Sequence, residues 1–154
     1  MYNVTAIVAA DMHGGIGINN KLPWNIPEDL EWFKANTLDN ICVASKSLYL
    51  RDLKNLKGRH WVAVSSNPGE LSIPEYNYNF HTPDTIAEDL KSNIMIVGGP
   101  KVYAWANEYI NTVILTRINS VYDCDAHINY LNLLKDKTLM TKLERSTHTY
   151  ELWS

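Results

Sequence analysis

The stretch at residues 22–34, LPWNIPEDLEWFK, holds the clearest local pattern in the chain. Its apolar side chains recur at the spacing of one helical face and predict a helix over Pro27–Asn36. Asp29 falls on that apolar face, where a carboxylate needs a partner such as the nitrogen donors of a ligand. The alternative is a first-turn carboxylate that only complements the helix dipole. The apolar face consists of Ile26, Leu30 and Phe33.

The start of this helix has recognisable signals. Asn25 is the predicted N-cap, and Pro27 suits the first turn. Glu28 stands three residues after Asn25, which is the spacing of a capping box. The sequence therefore predicts a helix that is capped by side chains at its beginning.

Outward from this helix, short β-branched and apolar runs alternate with helical stretches. This alternation predicts an α/β domain with a mostly parallel sheet. The segments Thr138–Glu144 and His148–Trp153 predict an antiparallel hairpin at one sheet edge, and we expect a single domain over residues 1–154. The predicted strands are Val4–Ala10, Ile41–Ala44, Trp61–Ser65, Ile94–Val97 and Thr112–Ile118, and the other predicted helices are Lys46–Leu53, Thr85–Lys91 and Lys101–Tyr109.

Charge and composition exclude several classes of function. The net charge is -3 and the basic residues are scattered, so nucleic-acid binding has no electrostatic support. No apolar stretch approaches the roughly 20 residues of a membrane helix. Cys42 and Cys124 form no CxxC pair, and the histidines lack metal-ligand spacing. We expect a cytoplasmic protein without a metal, nucleic-acid or membrane partner.

Two loops are rich in glycine, proline or asparagine. Residues 11–25, DMHGGIGINNKLPWN, are long enough for a binding loop or lid, and a mobile surface connection is equally well supported. Within this loop, Gly15 and Gly17 do not continue into a Rossmann fingerprint, because Asn20 takes the place of the third glycine. The loop Asn67–Tyr78 carries no recognisable chemistry.

Glycine and polar residues follow three of the predicted strands. They are Gly98–Lys101, Ser45–Ser47 and Ser65–Ser66. Because ligands of open α/β sheets bind at the carboxyl ends of strands, and glycine lets backbone approach a ligand, these ends favour a phosphate-bearing nucleotide cofactor.

The sequence resembles the dihydrofolate reductase family from end to end. The opening stretches and the later Gly-Gly turn occur in the family's order and spacing. The matching segments are Ile7–Ala10, Gly15–Gly17, Leu22–Lys34, Ile96–Tyr103, Leu115–Ile118 and Asp123–His127.

The resemblance implies an eight-stranded, mainly parallel sheet with four helices and a C-terminal antiparallel hairpin. It implies NADPH-dependent hydride transfer to C6 of 7,8-dihydrofolate with protonation at N5. The product, tetrahydrofolate, would serve one-carbon and thymidylate metabolism. The expected partners are dihydrofolate and antifolate-type small molecules, and the expected state is a monomer.

The resemblance also implies roles for individual residues. Asp29 would be the only carboxylate of the pocket and would bind the pterin's 2-amino group and N3, with Thr116 hydrogen-bonded to it. Trp24 would hold a water near the pterin oxygen, and Leu22 would lie on a lid over the nicotinamide. Arg59 would bind the substrate's glutamate carboxylate. The implied pocket wall consists of Ile7, Val8, Leu30, Phe33, Val97 and Tyr103.

The implied cofactor site spans the glycine-rich loop and three strand ends. Lys46, Ser65 and Ser66 would face the 2′-phosphate, and Lys101 would lie nearer the pyrophosphate. The full implied set is Ala9, Ile16, Asn20, Ala44, Ser45, Lys46, Ser47, Ser65, Ser66, Val97, Gly98, Gly99, Pro100, Lys101, Val102 and Tyr103.

The chain departs from the family pattern in this cofactor region. The family's Met-Gly-Arg/Lys-x-Thr-Trp reads VASKSL at Val43–Leu48. Without internal gaps Ser45 replaces the basic residue, whereas a one-residue shift would place Lys46 there. Pro100 replaces a third glycine. We therefore expect NADPH to be preferred over NADH by less than is usual for the family.

Two other functions are compatible with an α/β chain of this kind. A reductase of the same fold acting on a riboflavin precursor should lack the pairing of Trp24 with Asp29, which is present here. A non-catalytic binding or structural protein that kept the fold draws support from the altered Ser45–Leu48 stretch, and it should bind NADPH weakly or not at all.

Overall fold

The computed structural model describes all residues, 1–154, and contains ten strands and five α-helices. The strands are β1 (Val4–Ala10), β2 (Gly15–Gly17), β3 (Ile41–Ser45), β4 (His60–Ser65), β5 (Glu75–Asn77), β6 (Ile94–Gly98), β7 (Thr112–Ile118), β8 (Ala126–His127), β9 (Leu139–Glu144) and β10 (His148–Trp153). The helices are α1 (Pro27–Thr37), α2 (Lys46–Leu48), α3 (Pro83–Leu90), α4 (Pro100–Ala106) and α5 (Tyr130–Leu133).

Eight of the strands form one sheet in the order β5-β4-β3-β6-β1-β7-β10-β9. The pairs from β5 to β7 are parallel, and β10 runs antiparallel to both β7 and β9. The α/β fold with a C-terminal hairpin is confirmed, and each predicted strand ends within one residue of the observed one. The central strand β1 reads as a nearly continuous apolar run because both of its faces are buried, with Val8 in one core cluster and Ile7 in the other.

The helices differ from the sequence-based expectation in their ends and number. The predicted helix Lys46–Leu53 is α-helical only as far as Leu48 and continues as a π-helical turn over Tyr49–Leu53. The helix predicted over Lys101–Tyr109 likewise ends in a 3₁₀ turn, and α3 begins two residues early at Pro83. Helix α5 makes five helices where four were expected. No helix is both long and apolar enough to cross a membrane.

The predicted side-chain cap of α1 is wrong. Ile26 occupies the N-cap position, and no side chain caps the helix. Pro27 takes the first helical position, and the residue before a proline is held in extended conformation, which makes Ile26 the boundary instead of Asn25. The carboxylate of Glu28 accepts a hydrogen bond of 2.8 Å from Arg145 in the β9–β10 turn and does not cap the helix.

Both predicted loops contain strands. Within residues 11–25, β2 pairs with β8, and a bridge joins Ile18 to Lys21. Asn19 and Asn20 form the intervening turn with φ values of 50° and 64°, a conformation that asparagine tolerates well. Within Asn67–Tyr78, strand β5 extends the sheet at its edge. Pairing with distant strands organises these segments, and local sequence does not reveal such pairing.

Asp11 anchors the start of the glycine-rich loop. Its carboxylate is fully buried and accepts backbone hydrogen bonds of 2.8 Å from His13, Gly15 and Tyr122. Burial by itself raises the pKa of Asp11, but the three backbone donors outweigh it and leave the pKa below its ordinary value. The ionised carboxylate therefore ties the loop to the segment that precedes β8.

We predict that Asp11→Asn lowers the free energy of unfolding by about 2–4 kcal/mol at neutral pH, because the amide nitrogen cannot accept the hydrogen bond from the Tyr122 N–H and the negative charge is lost. A lowered pKa contributes stability above the unfolded pKa of aspartate, and that contribution is lost as the pH falls through the folded pKa. The difference between variant and parent should thus shrink in acid. Urea denaturation measures it, with the exposed Asp123→Asn as control. Equal stabilities at neutral pH would contradict the anchoring role.

Candidate active site

A cavity of about 570 Å³ opens at the carboxyl ends of β1 and β6 and runs along α1. Much of its wall is apolar, which suits a flat aromatic ligand. The structure brings many of the predicted site residues together here. Those that line the cavity are Ile7, Val8, Ala9, Ile16, Asn20, Leu22, Asp29, Leu30, Phe33, Val97, Gly99, Pro100, Tyr103 and Thr116.

Asp29 is the buried carboxylate of the cavity. Only 8% of the residue is exposed, whereas its apolar neighbour Leu30 is 56% exposed and forms part of the cavity wall. Leu30 and Phe33 of the apolar face of α1 therefore border the cavity, and Phe33 also packs against core residues of the sheet. A carboxylate in such a place offers an acceptor to nitrogen donors on a ligand.

Thr116 holds the Asp29 carboxylate in place. Its hydroxyl donates a hydrogen bond of 2.7 Å to Oδ1 of Asp29, and both groups are buried. Thr116 lies on β7 opposite Ala9 of β1, so the central sheet fixes its position. Burial raises the pKa of Asp29 above its ordinary value, and the hydrogen bond from Thr116 offsets part of this effect.

Asp29 is not the only carboxylate of the cavity, which corrects the expectation. Asp52 and Asp125 also line it, but both are exposed. Asp52 accepts a 2.9 Å hydrogen bond from Arg51, and Asp125 accepts one of 2.9 Å from the backbone of Asn19. The π-helical turn after α2 carries Asp52 to the cavity, an arrangement that a regular helix pattern did not predict.

Tyr103 ties two strands together beneath the cavity. Its hydroxyl lies 2.7 Å from the carbonyl oxygen of Ile7 on β1 and 2.7 Å from that of Val97 on β6. The two carbonyls share its single hydrogen-bond donor. Gly98 has a φ of +127°, and a Cβ there would lie 3.2 Å from the tyrosine ring. Glycine is therefore needed at position 98 for both conformation and space. At Gly99 nothing lies within 4 Å of an added Cβ, so this backbone is open to a ligand.

Trp24 and Leu22 flank the cavity differently. Leu22 is half exposed and lines the cavity. Trp24 is buried behind the wall, with its ring 5.5 Å from that of Tyr122. Its indole N–H is buried and has no hydrogen-bond partner in the protein, which leaves a donor free for a water or a ligand.

Arg59 also lies outside the cavity wall. Its guanidinium donates to Thr37 Oγ1 at 3.1 Å and to the carbonyl of Lys57 at 2.7 Å, and it stands 6.0 Å from the ring of Phe33. Because Phe33 lines the cavity, Arg59 is close to the cavity. Nη2 of its guanidinium has no protein partner.

The remaining predicted cofactor residues lie outside the cavity wall. Ser45 caps α2, since its hydroxyl accepts a hydrogen bond of 3.2 Å from Leu48. Lys46 forms an ion pair with Glu75 at 3.3 Å, and Ser65 bonds to the backbone of Asn67. The remainder of this group is Ala44, Ser47, Ser66, Gly98, Lys101 and Val102.

Sequence reasoning missed several residues of the cavity wall. Trp32 could have been found, since it lies three residues after Asp29 on the same helical face. The segment around the π-helical turn carried no signal of this kind. The missed residues are Gly17, Lys21, Trp32, Leu48, Arg51, Asp52, Leu53, Leu56, Asp125 and Ala126.

Comparisons with known proteins identify the family of the chain. The family model described as dihydrofolate reductase matches residues 3–151. The chain belongs to the dihydrofolate reductase family. A dihydrofolate reductase type 9 from Escherichia coli is 27% identical over 166 residues, covering 99% of this chain and 93% of that protein. A dihydrofolate reductase type 3 from Salmonella typhimurium is 33% identical over 146 residues, covering 93% and 86%.

A solved structure shares the fold of this member of the dihydrofolate reductase family. It is the dihydrofolate reductase from Enterococcus faecalis, complexed with NADP(H) and RAB-propyl. The TM-score is 0.78 with 22% sequence identity, over 98% of this chain and 95% of that chain. At 22% identity the likeness shows the fold alone.

We predict that Thr116→Val raises the pKa of Asp29 further, because the variant loses a hydrogen bond that favours the ionised carboxylate. Substrate binding should weaken by about 1 kcal/mol. A carbon-13 NMR titration of the carboxyl groups measures the pKa. Thr112→Val, on the same strand but without contact to the carboxylate, is the matched control. An unchanged titration of Asp29 would show that Thr116 does not hold it.

Proposed function

We propose that the chain is an NADPH-dependent dihydrofolate reductase that acts on 7,8-dihydrofolate. The observation that carries this proposal is the buried carboxylate of Asp29, held by Thr116 and bordering a mostly apolar cavity. A pterin fits such a place because its rings are flat and its 2-amino group and N3 present two adjacent donors. One carboxylate accepts both of these hydrogen bonds.

Asp29 orients the pterin and favours its protonated form. An anionic acceptor at one edge of the ring stabilises the positive charge that develops at N5 as the proton arrives. No acidic side chain is needed next to N5, since water can deliver the proton. The apolar wall formed by Leu30 and Phe33 covers the ring and strengthens the electrostatic effect of Asp29 by excluding bulk water.

A second part of the cavity wall suits a nicotinamide. Gly99 presents open backbone there, and Ala9 and Ile16 add an apolar wall. When bound, NADPH supplies the hydride for C6. The residues proposed to hold its adenosine half are Ser45, Lys46 and Ser65, at the neighbouring ends of β3 and β4.

Leu22 and Asn20 lie on the segment that would close over the nicotinamide. Leu22 is half exposed at the cavity, and Asn20 forms part of a turn that a single bridge supports. Closure of this segment would exclude bulk water during hydride transfer. The cytoplasmic location and the monomeric state stay predictions, as does binding of antifolate-type molecules in the same cavity.

A non-catalytic binding protein is the second candidate. The observation that favours it is the ion pair of Lys46 with Glu75, which weakens the site for a phosphate. Titration with NADPH separates the two candidates, since the reductase requires binding and a structural relic does not.

We predict that Asp29→Asn leaves the fold intact but lowers turnover at neutral pH by at least roughly tenfold, a change of 1.36 kcal/mol in the barrier. The loss should shrink at low pH, where the substrate is protonated in solution. Glu31→Gln, an exposed change of the same charge on the same helix, should leave turnover unchanged. A folded Asp29→Asn variant with parental turnover at neutral pH would eliminate the proposed role.

We predict that Arg59→Leu weakens dihydrofolate binding by about 1.5–3 kcal/mol, the contribution of a hydrogen bond to a charged group. The reason is that Arg59 lies beside Phe33, and its Nη2 is free to bind the glutamate carboxylate. Isothermal titration with dihydrofolate and with a pterin that lacks the glutamate tail tests this role. The tailless ligand should bind nearly as before, and equal losses for both would show that Arg59 acts on the structure alone.

A further inference from the structure

An ion pair occupies the strand ends where the adenosine half of the cofactor is proposed to bind. The ammonium of Lys46, the first residue of α2, lies 3.3 Å from Oε1 of Glu75 on the edge strand β5. The Lys46 side chain is 28% exposed, whereas that of Glu75 is 7% exposed. The carboxylate is therefore part of the protein interior, whereas the Lys46 side chain is partly exposed next to its sequence neighbour Ser45.

The structure fixes Glu75 firmly in this position. Its strand pairs with β4, where Ala63 lies opposite Glu75. Oε1 also accepts a hydrogen bond of 2.8 Å from the backbone of Gly69. Oε2 is buried and has no hydrogen-bond partner in the protein. A carboxylate with one unpartnered buried oxygen needs its cation, so it holds the Lys46 charge close.

Gly69 leaves the space that the ammonium occupies. A Cβ at that position would lie 2.7 Å from Nζ of Lys46. The loop between β4 and β5 thus approaches the ammonium closely. The position of the carboxylate follows from the pairing of β5 with β4 and from the hydrogen bond of the Gly69 N–H, and Lys46 pairs with this fixed group.

The charge of this pair determines what the strand ends can bind. Lys46 alone would present a net positive charge to a phosphate monoester, which carries about −1.5 to −2 at neutral pH. Paired with Glu75, it presents a dipole with no net charge. A ribose 2′-hydroxyl is neutral and loses nothing from the carboxylate, whereas a 2′-phosphate loses attraction.

We propose that Glu75 is a cofactor-selectivity residue, which neutralises Lys46 and thereby brings the affinities for NADPH and NADH close together. This inference rests on the proposed function, because it assumes that the adenosine ribose binds at the ends of β3 and β4. The competing role for Glu75 is to position Lys46 for the phosphate. The two roles predict opposite results when the carboxylate is made neutral.

The experiment is an equilibrium titration of Glu75→Gln and of the parent with NADPH and with NADH, followed by quenching of tryptophan fluorescence. Glutamine keeps the shape and an oxygen for the Gly69 N–H. We expect the variant to bind NADPH tighter by roughly three- to fivefold, the size of one partly exposed charge pair, with NADH affinity unchanged. The gain should shrink at high salt, because screening weakens an exposed charge.

Glu70→Gln, an exposed change in the same loop, is the matched control and should alter neither affinity. A fall in NADPH affinity for Glu75→Gln would show that Glu75 positions Lys46. Equal gains for both cofactors would show that the 2′-phosphate does not bind at this site. Either result overturns the proposal. In the parent, the ratio of the two affinities should vary little with salt, and a steep dependence would also contradict it. If only the role of Glu75 is wrong, the parent chain still oxidises NADPH when dihydrofolate is present. If the proposed function is wrong, it does not.

Discussion

The rest of the site depends on one contact, the hydrogen bond from Thr116 to the buried carboxylate of Asp29. A charged group in an apolar cavity is unfavourable without partners, and the protein supplies a single one. Oδ2 and the remaining lone pair of Oδ1 are left for the two donors of a ligand. The burial that creates this site also raises the pKa of Asp29. Binding of a ring with several hydrogen-bond donors lowers that pKa again, because the donors favour the ionised carboxylate.

The sheet makes that contact possible. Asp29 comes from the first turn of α1 and Thr116 from β7, 87 residues later, and they meet because β7 pairs with the central strand β1. Tyr103 fastens β1 to β6 on the other side of the cavity floor. The hydrogen-bonding groups on both sides of the cavity are thus held by neighbouring strands of one rigid layer.

Much of the fold was predictable from the sequence because several strands are continuous apolar runs bounded by polar residues or glycine, as in β4 and β6. Asp29 was predictable for a related reason, since one charge interrupted a regular apolar face. The π-helical turn, the short strand β5 and the ion pair of Lys46 with Glu75 were not. Strand β5 and the ion pair depend on contacts between separate segments of the chain, and the π-helical turn is a local i→i+5 departure that the helical periodicity does not signal. The N-cap of α1 was misplaced because Pro27 overrides the preference of Asn25.

Reduction of dihydrofolate by NADPH in this cavity is tested most directly by following the absorbance of NADPH when dihydrofolate is added to the purified chain. We expect oxidation of one NADPH for each dihydrofolate consumed, with tetrahydrofolate as the product. A chain that is folded and binds NADPH, yet shows no oxidation that depends on dihydrofolate, would contradict this expectation.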